Sequence, residues 1–239
     1  MPEKTNAKRF IEAYNRLDQG MRDIYGIKRS MTFSDMIRQV AGVSTVIKKY
    51  KDDLIDCGRL RNAIVHNNTD DEVIAEPNEE IVLKLELITR LVTTPPRVME
   101  SIAARAVFSV QTSAKLSFVL SELYKTGYSV VPVYEHKQLV GVINRKMIVD
   151  CIGKCIMEGR DIDEFMNGSI EDRIQIKAYS SHFEVVPSNI TIDNMIYLFQ
   201  QNKKLSVVII TANGNYDEEP IGVVVANDTI EMQSILDKY

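Results

Sequence analysis

Three side chains in one short run of the first hundred residues could do chemistry together. They are Arg61, Asn62 and His66, in Leu60-Arg61-Asn62-Ala63-Ile64-Val65-His66-Asn67. An imidazole with an ordinary pKa of about 6.5 can take or give a proton at neutral pH. A guanidinium is permanently charged, and its fork matches phosphate oxygens. Asn62 and His66 are four apart and share a helix face. Arg61 and His66 are five apart, about 140° around an ideal helix. One straight helix does not aim both at one atom, whereas two copies of it crossing could set both pairs around one cleft. A local use is also open: Arg61 and His66 can answer the carbonyls at a helix C-terminus, where positive charge is favoured.

A second feature of the sequence is an internal repeat. Val107–Val110 matches Phe183–Val186 at an offset of 76, and Leu116, Val119, Leu120 and Leu123 match Ile192, Met195, Ile196 and Phe199 at the same offset. Ser129-Val130-Val131-Pro132-Val133 matches Ser206–Ile210 at 77, and Gly141-Val142-Ile143 matches Gly222-Val223-Val224 at 81. The offset grows only before a strand and in a turn, Glu135–Leu139 in the first copy and Ala212–Pro220 in the second, which is where a true repeat accepts insertions. Each copy reads strand, helix, strand, turn, strand, helix. Two such copies can pack sheet to sheet.

The elements that must hold Arg61, Asn62 and His66 are helical. Phe10, Tyr14, Leu17, Met21 and Ile24 form one stripe, and Gly26 is its stop. Thr32 and Ser34 are candidate caps for a short helix carrying Met36, Ile37 and Val40. Val46, Tyr50, Leu54, Cys57, Arg61 and Ile64 continue a stripe along a third, longer helix that runs into the polar stretch His66–Asp71. Pro77 or Asn78 opens a fourth helix with Ile81, Leu85, Ile88 and Leu91 or Val92 inside. Four helices in about 90 residues make a helical bundle. The pattern changes at Thr93-Thr94-Pro95-Pro96.

The helical part, roughly residues 5–94, resembles the HEPN domain family: a short up-and-down bundle whose Arg-polar…His motif lies near the end of the third helix. In this sequence the motif is Arg61-Asn62 with His66. The resemblance implies a composite site built by two subunits, with no metal or other cofactor required. In it His66 serves an RNA 2′-hydroxyl as base or acid, Arg61 holds the phosphate, and Asn62 orients one of them. The expected product is a 2′,3′-cyclic phosphate, from single-stranded RNA and never from DNA. The repeat region resembles a tandem pair of CBS domains: Pro132-Val133 closing a strand, then Gly141–Met147 in the first copy and Gly222–Asp228 in the second. That resemblance implies an adenosine nucleotide, AMP, ATP or a related adenosyl compound, as regulatory ligand. Asp228 would accept from the ribose hydroxyls, and adenine would lie near the backbone of Ser206, Val207 and Val208. The position that can meet phosphate is held by Asn144 and Val225. Met147 stands where the first copy would need its acid.

The expected architecture is therefore α+β: a four-helix HEPN-like bundle over residues 1–94, then a tandem CBS module over 98–239 with repeats at about 98–155 and 174–239. In function, the CBS pair senses a nucleotide and controls a dimeric, metal-independent ribonuclease. The alternative is a non-enzymatic nucleotide-binding adaptor whose helical domain docks a partner. Either way a ligand acts only by preferring one arrangement, and a preference of ~1–3 kcal/mol changes the output ~5–150-fold.

Composition sets the limits. The chain has 239 residues with 45% hydrophobic and 26% charged, ordinary for a globular protein. Residues 1–95 carry 15 Lys+Arg against 15 Asp+Glu, and residues 96–239 carry 14 against 18. Neither half has the positive excess that holds duplex DNA, and no apolar run approaches the ~20 residues of a membrane span. Three cysteines (Cys57, Cys151, Cys155) make no disulfide framework and fit a reducing cytoplasm. Cys151 and Cys155 are four apart without a nearby His, so core packing is expected there rather than metal. His136 and Asp217-Glu218-Glu219 lie in turns and read as solvated. Homodimerisation is expected of both halves.

Overall fold

The computed structural model describes residues 5–66, 76–102, 107–176 and 182–239, with only the backbone of His66. The chain begins with α1 (Asn6–Tyr25), α2 (Phe33–Val40), α3 (Thr45–Lys49), α4 (Lys51–His66) and α5 (Glu79–Thr93). There follow α6 (Val98–Ser101), β1 (Val110–Gln111), α7 (Leu116–Thr126), β2 (Val130–Glu135), β3 (Gln138–Asn144), α8 (Arg145–Met157), α9 (Ile162–Asn167) and α10 (Ile170–Arg173). The last elements are β4 (Phe183–Pro187), α11 (Ile192–Gln201), β5 (Val207–Thr211), β6 (Gly222–Val225) and α12 (Thr229–Lys238).

Two compact units result. The first holds the residues up to Arg97 together with Thr191–Tyr197 and Glu231–Tyr239. In it α1 buries Phe10, Leu17 and Met21 completely and Tyr14 nearly so, whereas Ile24, placed on the same stripe, is exposed. Thr5 caps its start, accepting from Lys8 N, and Gly26 ends it in the left-handed region at φ 63°, as a C-terminal glycine should. Of the two candidate caps for α2, Thr32 serves, accepting from Asp35 N. Asn78 opens α5 by accepting from Ile81 N at 2.9 Å. The Arg9 guanidinium ties α1 to α5 through Glu86 and Glu79.

The expected third helix is two helices. Tyr50, at φ −103° and ψ 18°, breaks it between α3 and α4, so the described residues before Pro95 hold five helices rather than four. The stripe through Val46, Tyr50 and Leu54 hid the break because its spacing persists across it. The expected division at residues 94–98 also has an addition: Ile192 N donates to the Pro96 carbonyl, Lys49 Nζ meets Asp237, and the Tyr239 hydroxyl donates to the Thr94 carbonyl. These bonds draw two late segments into the first unit.

The second unit, Val98–Ile190 with Leu198–Ile230, contains two three-stranded sheets, ordered β1-β2-β3 and β4-β5-β6. In each the middle strand runs parallel to the first and antiparallel to the third: Val133 pairs with Val110 and Gly141, and Val207 with Phe183 and Val225. The repeat is thus structural as well as sequential. One side of the first sheet packs Val131, Val133 and Ile143 against Leu116, Val119 and Leu123 of α7 and Ile148 of α8. The two sheets meet where Tyr134, Leu139 and Val142 pack on Phe183, Val207 and Ile209. Between the copies, the acidic stretch from Asp161 folds into α9, which Asp161 caps, and α10, which Ser169 caps; neither helix was expected.

Candidate ligand-binding site

Helix α7 ends at Gly127, in the left-handed region at φ 73°. That reversal sends Tyr128, Ser129 and Val130 into β2 along one wall of a cavity of about 100 Å³. Val107 and Phe108, just before β1, form a second wall, and Val223 and Val225 of β6 close it. Phe108 is itself braced edge-on by Phe118, with ring centroids 6.0 Å apart. Val223 and Val225 reach the cavity because they alternate along β6 with the buried Val224. Among the described residues the lining carries no charge. Its polar groups are the Tyr128 and Ser129 hydroxyls and the main chain. Such a space suits one flat, uncharged ring with polar edges.

Of the six residues expected to hold ligand, Val225 lines this cavity. The others have local duties. Asn144 caps α8, accepting from Met147 N at 2.9 Å. Asp228, 9% exposed, sits in the 3₁₀ turn Ala226–Asp228 and accepts from Val225 N at 2.9 Å. The Ser206 N–H and hydroxyl both donate to the His182 carbonyl, at 2.9 and 3.0 Å. Val207 and Val208 are wholly buried in β5, in the middle of its sheet. The cavity residues that sequence reasoning missed are Val107, Phe108, Gly127, Tyr128, Ser129, Val130 and Val223. The repeat carried their signal, since Ser129-Val130-Val131 is the equivalent of Ser206-Val207-Val208.

In the first unit, Arg61 and Asn62 occupy the last turns of α4. The Arg61 guanidinium lies over the Tyr14 ring, 5.8 Å from its centroid, and Arg61 Nη1 donates to Asn62 Oδ1 at 3.3 Å. Arg61 Nε is buried, without a hydrogen-bond partner among the described residues. Burial pushes the Tyr14 hydroxyl up to about 12, so it stays neutral beneath the cation. Asn62 is exposed. The His66 side chain and the stretch Asn67–Asp71 lie outside the described residues, so Arg61 is not seen together with His66.

Two turns expected to be solvated line one polar cavity of about 500 Å³: His136 and Lys137 on one side, Asp217 to Pro220 on the other. There the Glu218 carboxylate is held down to about 2, chiefly by hydrogen bonds from the backbone and side chain of Asn213. The Tyr134 hydroxyl, which donates to the Glu218 carbonyl, is pushed up to about 12 by burial. Among the described residues no group of His, Cys, Asp and Glu could hold a metal ion, and no helix is long and apolar enough to cross a membrane. Cys57 is raised to about 11 by burial, the state of a packed thiol rather than a reactive one.

Residues 99–154 match the family model of the CBS domain. No curated protein matches the chain. Among solved structures, it is similar to a signal-transduction protein with CBS domains from Burkholderia ambifaria, at 13% identity over 59% of this chain and 92% of that one, TM-score 0.43. It is also similar to the CBS domain of a bacterial CNNM/CorC family Mg2+ transporter in complex with ATP, at 20% identity over 62% and 92%, TM-score 0.43. A third is CBSX2 in complex with AMP, at 15% identity over 60% and 99%, TM-score 0.43. The stretch that carries β1 to β3, α7 and most of α8 is a CBS domain.

Proposed function

We propose that residues 98–239 act as a CBS pair that binds an adenosine nucleotide and regulates the helical part of the chain. The observation that carries this reading is the cavity walled by Phe108, Gly127–Val130, Val223 and Val225, to which both copies of the repeat contribute and whose described lining is uncharged. Adenine would enter it flat, its polar edge meeting the main chain of Tyr128 to Val130. Asp228 would serve a ribose in the second copy by rearranging its bond to Val225 N. The chain as a whole would work as a homodimer in the cytoplasm.

Calorimetric titration of the full chain with adenosine, AMP and ATP tests this. Dissociation constants of about 1–100 µM are expected. Val225→Trp, which fills the cavity, should abolish binding while leaving the melting temperature within a few degrees. Absence of binding by all three compounds would overturn the reading.

For the helical part, a HEPN-type ribonuclease is supported by Arg61 and Asn62 lying hydrogen-bonded on the last turns of the helix that also carries His66. In that reading a neutral imidazole takes the 2′-hydroxyl proton, the 2′-oxygen attacks the adjacent phosphorus, and the 5′-oxygen leaves with a proton. To act, Arg61 must leave the Tyr14 ring. A fluorescent single-stranded RNA in EDTA, with and without AMP or ATP, should be cut to 2′,3′-cyclic ends, and His66→Ala and Arg61→Ala should each stop it. Nucleotide binding without cleavage would support the non-enzymatic adaptor instead.

A further inference from the structure

The polar cavity of about 500 Å³ between the two hairpin turns of the second unit has the size of a small-molecule site. It shares Val107 with the smaller cavity and is otherwise lined by different residues. One wall has its origin in the repeat. The turn of the second copy, Ala212–Pro220, has nine residues where the first copy, Glu135–Leu139, has five. The longer turn brings Asp217, Glu218 and Glu219 to the cavity.

Both walls are held in place. β2 reverses into β3 through the two-residue turn His136-Lys137, with His136 in the left-handed region at φ 56°. Leu139 N donates to the Tyr216 carbonyl at 2.8 Å, and the Tyr134 hydroxyl donates to the Glu218 carbonyl at 3.0 Å. The Glu218 carboxylate is occupied inside its own turn by Asn213 and Asn215. A cleft fixed beforehand gives up little freedom when a ligand enters.

The remaining charges say what that ligand is. Lys137 stands on one wall and Asp217 and Glu219 on the other, all three exposed. Among the described residues none of the three enters an ion pair, whereas Lys125, Lys146 and Lys154 of the same unit each meet a carboxylate. Opposite charges thus line one space without neutralising each other, with one negative charge in excess. A molecule that bridges them needs an anionic group for Lys137 and two cationic groups for Asp217 and Glu219. The Tyr134 hydroxyl has its proton on Glu218, which leaves its oxygen to accept from a cation. Val107 and Pro220 offer apolar surface to a methylene stem. We propose that this cleft binds a basic α-amino acid, with the carboxylate at Lys137 and the two cationic groups at Asp217 and Glu219.

Calorimetric titration of the full chain with L-lysine and L-arginine tests this. Nucleotide is left out, so the outcome does not depend on whether one binds. A dissociation constant of about 10 µM to 1 mM is expected for the tighter of the two. Norleucine, which lacks the second cation, and cadaverine, which lacks the carboxylate, should each bind at least tenfold more weakly than that amino acid. Glu219→Gln and Lys137→Met should each weaken its binding at least tenfold and leave the melting temperature unchanged, since both side chains are exposed. Absence of binding by both amino acids, norleucine or cadaverine binding as tightly as the amino acid, or either variant binding as the wild type does would each overturn the proposal.

Discussion

The Ser44 hydroxyl donates a 2.7 Å hydrogen bond to Asp193 across 149 positions of the chain, and both residues are buried. The same carboxylate accepts from Thr45 N at 2.9 Å, from Val46 N at 3.1 Å and from the Thr45 hydroxyl. Ser44 in turn accepts from Ile47 N at 3.1 Å. A residue of α11 thereby satisfies the free amides at the start of α3. Asp193→Ala leaves these donors without an acceptor in a closed space, and a loss of about 2–4 kcal/mol is expected in urea unfolding. Asp193→Asn keeps one acceptor oxygen and should lose about half as much.

Glu218 gives the acid sensitivity of the Ala212–Pro220 turn. Its carboxylate accepts from Asn213 N and Nδ2, both at 2.7 Å, and from Asn215 Nδ2 at 3.0 Å. These donors favour the charged form, so the pKa falls from 4.5 to about 2 in the folded chain. A depressed pKa means that the contribution is whole above about 4.5 and is lost as pH falls towards 2. An NMR titration of the Asn213 amide should show a midpoint near the lower value. In Glu218→Gln the step should vanish.

Gly141 shows where a single methyl group is excluded. It pairs with Val133 in the first sheet, and a Cβ built on it would overlap Ile176 Cγ2. Ile176 is 7% exposed within the core of the first repeat and has little room to retreat. Gly141→Ala should therefore lower stability by about 1–3 kcal/mol, read by thermal unfolding. Gly153→Ala, in open space, should raise it by about 0.5–1 kcal/mol.

What could be read from the residues was what local spacing controls. Thr32 and Asn78 as caps, Gly26 as a stop, and the strand pattern around Pro132 and Gly222 all act over a few positions, and all are found. The break at Tyr50 was hidden because the apolar spacing through Val46, Tyr50 and Leu54 runs on across it. The cavity was half legible: the repeat relates Ser129-Val130, which line it, to Ser206-Val207, and of the latter Val207 is buried in the middle strand β5.

The first unit is assembled from three separate stretches of sequence, and this bears on how the chain is made. A ribosome adding about 5–20 residues per second leaves a gap on the order of ten seconds between the release of Ser44 and that of Asp193. During that interval α3 has no acceptor for its leading amides, and Lys49 waits longer still for Asp237. The helical part is finished last although it is translated first. A stop codon placed after Pro95 would thus yield a fragment that never receives its closing piece.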